Sequence, residues 1–338
     1  MKPIKKVLVT GGAGYVGAVL VPKLLDKGYR VRILDLYMYG EHVLDAVKNN
    51  PNLEQIKGDI RDDLLLKKCT AGCDALIHLA CISNDPSVEL DPQLSRTINY
   101  DAFCSLVRIS KENGVKRFIF ASSGSVYGIS NASDVTEDHP LVPVSLYNKY
   151  KAMCELALIE AQSLDFTTVI IRPATICGYS PRQRLDLTVN ILTTHAVHNN
   201  RITVFGGKQM RPNIHMGDMV DLYTMLLEVP DEHIAGQIFN AAYQNHTIAR
   251  IAEIIRDTVA SEMPEKVNIE IVTTPSDDPR SYHISSEKIK RELEFVPRWT
   301  IEDSVRDLVT AFQTGKLPNA LEDIRYYNIK MMKHISLK

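Results

Sequence analysis

The chain is predicted to be an α/β protein, a doubly wound parallel sheet joined to a smaller C-terminal α/β lobe. Three observations predict it. Short runs rich in Val, Ile and Leu alternate with helix-length segments through the first half. The runs are continuous rather than alternating, as strands buried on both faces require. Beyond Arg172 the pattern breaks at Pro173, Gly178 and Pro181, and a shorter, more polar one follows. Strands that alternate with helices imply right-handed crossovers and a parallel sheet.

Taken in order, strands are expected at Lys6–Thr10, Arg30–Leu34, Leu53–Lys57, Ala75–Leu79, Arg117–Ser122 and Thr168–Arg172. Helices are expected at Gly14–Lys27, Asp101–Asn113 and Ser145–Ser163. After Arg172 come a helix from Leu187 to about His198, a strand at Ile202–Phe205, a polar segment Arg211–Asp218, and a helix at Asp218–Glu228. A strand at Gln237–Asn240 is placed to return to the main sheet. The expected division is therefore residues 1–172 with about 213–244 in the larger domain. Residues 173–212 with about 245–315 form the second lobe, and 316–338 form a tail. The tail's basic run Arg325–Lys333 reads as an appended surface helix without a function.

The whole chain sets limits. Its 338 residues carry a net charge of −2 without long charged runs, which argues against a nucleic-acid partner. No apolar stretch approaches the roughly 18–20 residues that span a bilayer. The start, MKPIKKVLVTGG, runs directly into a strand and lacks the apolar core of a secretory signal. The six cysteines are scattered, neither a disulfide framework nor a zinc set, and His195 with His198 form an HxxH without its Glu. A cytoplasmic protein without a metal site is expected.

The first strand runs into Gly11-Gly12-Ala13-Gly14-Tyr15-Val16-Gly17 and then a helix. Such glycines allow a tight turn and close approach of a diphosphate to the helix N-terminus, the Rossmann arrangement for a dinucleotide. Gly11, Gly14, Tyr15, Val16 and Gly17 are the expected contacts. Asp35, ending the second strand, accepts hydrogen bonds from ribose hydroxyls and repels a 2′-phosphate, which selects NAD over NADP. Asp59 and Ile60 end the third strand, where the adenine would lie. Leu79, Ala80 and Cys81 end the fourth, and small Ala80 lets the cofactor pass.

Tyr147 and Lys151 are spaced i,i+4 and share a helix face. A free phenol has a pKa near 10, so bringing it to about 7 takes roughly 4 kcal/mol of phenolate stabilisation. An adjacent ammonium and a positive nicotinamide ring both act in that direction. Ser122-Ser123-Gly124-Ser125-Val126-Tyr127-Gly128, after the fifth strand, offers a hydroxyl for the reacting oxygen.

With TGGAGYVG, HLAC, SSGSVYG, YNKYK, RPNIHMGDMV and the segment Arg280–Pro297 in this order, the chain resembles the extended short-chain dehydrogenase/reductase family, in its nucleotide-sugar epimerase and dehydratase branch. The resemblance implies Ser123, Tyr147 and Lys151 as the catalytic triad. It also implies Asn99 in the cofactor-side hydrogen-bond network and Pro173 beside the nicotinamide. For the substrate, a nucleoside-diphosphate sugar, it implies Ser123, Ser125, Asn190, Arg211 and Arg280, the arginines gripping the diphosphate. A homodimer through the helices Asp101–Asn113 and Ser145–Ser163 is implied as well.

Dehydratases of the branch carry Thr-Asp-Glu where this chain has Ser123-Gly124-Ser125, which lacks their acid and base. Ser-Gly-Ser is closer to the 4-epimerases, so an NAD-dependent nucleotide-sugar 4-epimerase working through a transient 4-ketone is expected. The run RPATICGYSPRQRLDLTVNIL is also similar to members that oxidise C4 and release the ketone, which keeps a C4-dehydrogenase open. Cys177 replaces the usual aromatic there and lies either near the sugar or in a small apolar core. A catalytically silent NAD-sensing or scaffold protein would have lost Tyr147 or Lys151; a small-alcohol or amino-acid dehydrogenase would not need the arginines.

Overall fold

The computed structural model describes residues 3–335 apart from 131, 133, 267, 277–280 and 282. Seven parallel strands form its main sheet: β1 (Lys6–Thr10), β2 (Arg30–Asp35), β3 (Leu53–Lys57), β4 (Ala75–His78), β5 (Arg117–Ala121), β6 (Thr167–Pro173) and β10 (Gln237–Ala241). They lie in the order β10-β6-β5-β4-β1-β2-β3, so the chain starts centrally, winds to one edge, and returns to wind toward the other. Strand alternation accounts for the apolar runs. Val7, Val9, Ile33 and Ile77 enter one buried cluster, while Leu8, Leu34, Leu76 and Phe118 enter another on the opposite face.

Between the strands lie helices at Gly17–Asp26, Asp63–Thr70, Ala102–Glu112 and Leu146–Ala161. β4 ends one residue before the expected position. Leu79 still donates to Thr10 O at 3.0 Å, but there the chain bends under Gly11, where a Cβ would meet Ala80 N at 2.7 Å. The first helix starts at Gly17 rather than Gly14 because Gly11–Val16 is spent on the turn.

The remaining strands build the second lobe. β7 (Thr175–Cys177), β9 (Met210–His215) and β11 (Gln244–Thr247) form a three-stranded sheet; β8 (Arg201–Phe205) and β12 (Glu270–Thr274) form a parallel pair. The segment expected as merely polar, Arg211–Asp218, is instead strand β9 followed by the helix Met216–Met225. Its backbone pairs with both β7 and β11. Helices Thr188–Asn199, Ile248–Glu262 and Ile301–Gln313 close a third apolar cluster around Val189, Ile255 and Val305.

The tail corrects the expectation of an appended surface helix. Tyr326 and Tyr327 pack with Leu185 and Leu308 in a small cluster of the second lobe. The helix that follows, Asn328–Ile335, buries Met332 in the cluster beneath the main sheet's other face. The tail thus crosses from one lobe to the other.

Candidate active site

The carboxyl ends of the main strands open into a cavity of about 450 Å³. Its floor is mostly backbone. Gly11 (φ +76°) brings the turn against Ala80, and a Cβ on Gly17 would collide with Gly11 O, so both positions accept only glycine. No side-chain acceptor caps the helix that starts at Gly17, and its first turn holds no acid. Open N–H groups with a positive dipole end are therefore available to a phosphate. Gly14, Tyr15 and Val16 line the same wall.

Asp35 sits at the cavity's edge, accepting from Ala13 N at 3.0 Å and Tyr37 N at 2.7 Å. Burial pushes its carboxyl up, and those amides with the nearby Arg182 guanidinium oppose that push. Asp59 and Ile60 also line the cavity, but the Asp59 carboxylate is held by Arg61 (Nη2–Oδ2 2.6 Å). Burial pushes Asp59 up, yet the Arg61 bonds outweigh it and hold the group below its usual value. Leu79, Ala80, Cys81 and Pro173 complete this side. Together the glycine cradle, the uncapped helix end and the Asp35 carboxylate fit a dinucleotide.

Tyr147, Lys151, Ser123 and Ser125 face the same space. Ser145 caps the helix that carries Tyr147 and Lys151, and Lys151 Nζ donates to Ala121 O at 2.6 Å. The ammonium lies 5.9 Å from the Tyr147 ring centre and 4.7 Å from that of Phe120. Ser123 and Ser125 share a hydrogen bond of 2.7 Å, and Ser125 donates to Asn148 Oδ1 at 2.6 Å. The expected lowering of Tyr147 is not seen here. Burial pushes the phenol well up, while Arg184 and the Ser123 hydrogen bond pull the other way.

Two expected contacts stand elsewhere. Asn99 lies behind the cavity wall and holds Ile82 through both of its amide atoms (2.8 and 2.9 Å). Asn190 is fully buried: it accepts from Gly178 N (3.2 Å) and donates to Tyr15 OH (3.0 Å) and Arg184 O (2.8 Å). Its amide is spent on fixing the loop 178–184, so it is not placed to touch a diphosphate. Arg211 does line the cavity from β9. Arg280 lies outside the described residues. Cys177 is fully buried among Val189, Ile202 and Val305, beside Ser304 Oγ at 3.1 Å, and does not line the cavity.

The residues missed from sequence form the cavity's roof. Arg182, Arg184 and Asp186 come from the loop after β7, Tyr39 from the turn after β2, and Asn328 and Met332 from the tail. Only the pair of arginines in SPRQRLD was a signal, and it carries no motif of its own. Among the described residues no group of three or more His, Cys, Asp or Glu is placed to hold a metal ion, and no helix is long and apolar enough to cross a membrane.

The family model described as the NAD dependent epimerase/dehydratase family matches residues 7–242. Over 311 residues the chain is 27% identical to UDP-glucose 4-epimerase of Corynebacterium glutamicum, spanning 87% of this chain and 92% of that one. It is 26% identical to UDP-glucuronic acid decarboxylase 1 of Arabidopsis thaliana, over 91% of this chain and 70% of that protein. In fold it is similar to DesIV, a dTDP-glucose 4,6-dehydratase of Streptomyces venezuelae solved with NAD bound. There the TM-score is 0.82 at 24% identity, covering 94% of this chain and all of that one. Two relatives with two named reactions leave the choice of reaction to the site itself.

Proposed function

The chain belongs to the NAD dependent epimerase/dehydratase family, and from that premise we propose that it is a nucleotide-sugar 4-epimerase. The observation that carries the reading is Ser123, Tyr147 and Lys151 in one cavity with Asp35 and the glycine cradle, beside a tightly packed Gly124 where the dehydratases carry an acid. A Cβ at Gly124 would collide with Ile284 Cδ1 and lie 3.2 Å from Pro173 O. The carboxylate that dehydratases of the branch carry at this point is absent from the sequence, and the packing at Gly124 would have to shift to admit one.

NAD, when bound, supplies an acceptor that takes hydride from the sugar carbon and gives it back. The chain's own groups handle the proton. Tyr147 takes it from the C4 hydroxyl and later returns it, and Ser123 holds the same oxygen. Lys151, fixed on Ala121 O, keeps a positive charge beside the phenol and favours its ionised form. Asn148 anchors Ser125, and Ser125 keeps Ser123 in position until the substrate oxygen takes over its proton. Arg211 offers its guanidinium to the substrate diphosphate from the second lobe, with Arg280 as the proposed second grip.

We also assign a homodimer through the helices Ala102–Glu112 and Leu146–Ala161. Leu156 is 62% exposed on the second of them, and Leu164, just beyond it, is fully exposed, apolar side chains that a partner would cover. All six thiols are free, which suits the cytoplasm.

The test is NMR of the enzyme in D2O with UDP-, GDP-, CDP- and dTDP-sugars. Inversion at C4 without solvent deuterium supports the epimerase. An accumulating ketosugar would replace it with a C4-dehydrogenase, and deuterium at C6 with loss of water would restore a dehydratase. Tyr147→Phe should lower kcat by about 10²–10⁴ while NAD content stays unchanged. Arg211→Met should raise KM for the nucleotide sugar; an unchanged KM would point to a small alcohol as substrate.

A further inference from the structure

Segment 178–186 arches over the glycine turn. Tyr15 OH donates to Gly178 O at 2.8 Å, and fully buried Ser180 donates to Tyr15 O at 2.7 Å. Just beyond, Arg182 points back into the cofactor cavity, 4% exposed, with its guanidinium carbon 3.4 Å from the Tyr39 ring centre. Its Nη2 donates to Asn328 Oδ1 at 2.5 Å, its Nε has no partner, and among the described residues no carboxylate pairs with it. Arg184, two residues on, is instead neutralised by Asp186 at 2.9 Å. Asp35 and Asp186 are near enough to influence Arg182 electrostatically, but neither touches it.

We propose that Arg182 is a cofactor-binding residue donated by the second lobe: its buried guanidinium clamps the diphosphate of the dinucleotide from above while the uncapped helix at Gly17 holds it from below. A guanidinium out of water with no carboxylate bonded to it is costly, and an anion shared with a helix N-terminus lowers that cost. Diphosphates could come from the dinucleotide or from the nucleotide sugar. Arg182 stacks on Tyr39, in the turn that follows Asp35, which is the adenosine end of the cavity; the substrate's Arg211 stands on β9. The dinucleotide is therefore the ligand.

The tail locks this clamp. Asn328, besides accepting from Arg182, donates its side-chain amide to Ser83 Oγ (2.8 Å) and its backbone N–H to Asp186 (3.1 Å). Met332, one turn on, lines the cavity and is 7% exposed. The helix Asn328–Ile335 thus braces the clamp and adds to the cavity wall above the dinucleotide site. A reaction that returns its hydride requires the reduced cofactor to stay bound between the two hydride steps, which a clamp on the diphosphate favours.

The inference rests on the reading that the cavity holds NAD, and the experiment separates the two. NAD per protomer is measured after denaturing the full-length wild type, Arg182→Met, Arg182→Lys and Asn328→Ala. Exchange of bound NAD against an excess of isotopically labelled NAD is then timed, and thermal midpoints are recorded with and without NAD. Arg182→Met should speed NAD loss by about 10- to 100-fold, Arg182→Lys by less, and Asn328→Ala by a few-fold. Without NAD, Arg182→Met should be at least as stable as the wild type, since it removes a buried charge that no carboxylate bonds directly.

Unchanged exchange in Arg182→Met would overturn the clamp. So would a lower midpoint without NAD while the NAD-induced rise is kept, which would make Arg182 a packing residue. A weaker nucleotide-sugar affinity with NAD exchange intact would move it to the substrate's diphosphate. A wild type that neither carries nor binds NAD would sink the dinucleotide reading itself, and the clamp with it.

Discussion

Two arginines are buried near the strand ends, and their surroundings differ. Arg172, on β6 and 3% exposed, meets Glu155 through Nη2 at 2.7 Å and through Nε at 3.1 Å. Its Nη1 reaches Tyr127 OH at 2.7 Å, and Ser122 Oγ adds a 2.5 Å bond to the same Glu155. Arg182, as buried, has one amide, the ring and hydroxyl of Tyr39, and an unpartnered nitrogen. The first is a closed network that fixes the strand carrying Pro173 and the loop carrying Ser123. The second is an open one. A charge satisfied within the chain reads as structure; one left unsatisfied beside a cavity reads as half of a binding site.

Breaking the closed network gives the largest expected effect. Glu155→Ala leaves Arg172 buried without its counter-charge and should destabilise the fold by about 3–5 kcal/mol in urea denaturation. A loss below about 1 kcal/mol would show that the two arginines do not differ in kind.

Next comes the loop that the closed network supports. Gly124→Ala pushes a methyl onto the tip of Ile284 and to 3.2 Å from Pro173 O, and should cost about 1–3 kcal/mol according to how far Ile284 turns aside. Because Ser123 and Ser125 flank it, kcat should fall as well. Full activity and stability would mean that Ile284 yields, and that packing does not exclude a carboxylate here.

The floor of the cavity was legible in the sequence and the roof was not, for a physical reason. The floor is set by local rules. Apolar runs fix β1 to β6 within one or two residues, and Gly11 and Gly17 sit where backbone approaches backbone. The i,i+4 spacing of Tyr147 and Lys151 puts both on one helix face. The roof depends on side chains meeting across long stretches of chain. Arg182 and Asn328 are 146 residues apart, and Asn328 and Ser83 are 245. No periodicity encodes such a contact. Asn190 shows the converse error: a residue matched by motif whose amide turns inward to hold the loop, not outward to a ligand.

A charge that can be shed behaves differently from one that cannot. His78, ending β4 on the floor, is buried with its ring nitrogen 2.8 Å from Thr10 Oγ1, and burial, aided by Lys151, pushes its pKa down to about 3. It stays neutral where Arg182 must stay charged. A depressed folded-state value means the contribution is fully present above the unfolded value near 6.5 and is lost as pH falls toward 3. Relative to His78→Asn, the wild type should lose about 2 kcal/mol between pH 7 and 5. Parallel stability curves for the two proteins would show that His78 does not carry the acid sensitivity.

The smallest effect is expected at Cys177, and it probes the boundary between the lobes' packing and the site. Sequence left this thiol either near the sugar or in the core. The structure puts it in the second lobe's core, between Ser304 Oγ and Ile214 O, where burial pushes it up to about 12 although Ser304 pulls the other way. Such a thiol is neither a nucleophile nor a ligand at neutral pH. Cys177→Ala should leave kcat/KM within about twofold and cost roughly 1 kcal/mol, near the value of one buried methylene-sized group. The native thiol should also resist iodoacetamide at pH 8 until the chain is unfolded. A large rise in the nucleotide-sugar KM would instead bring the substrate up to β7. The wall of the site would then lie one strand deeper in the second lobe, and the roof formed by Arg182 and Asn328 would have to cover both ligands.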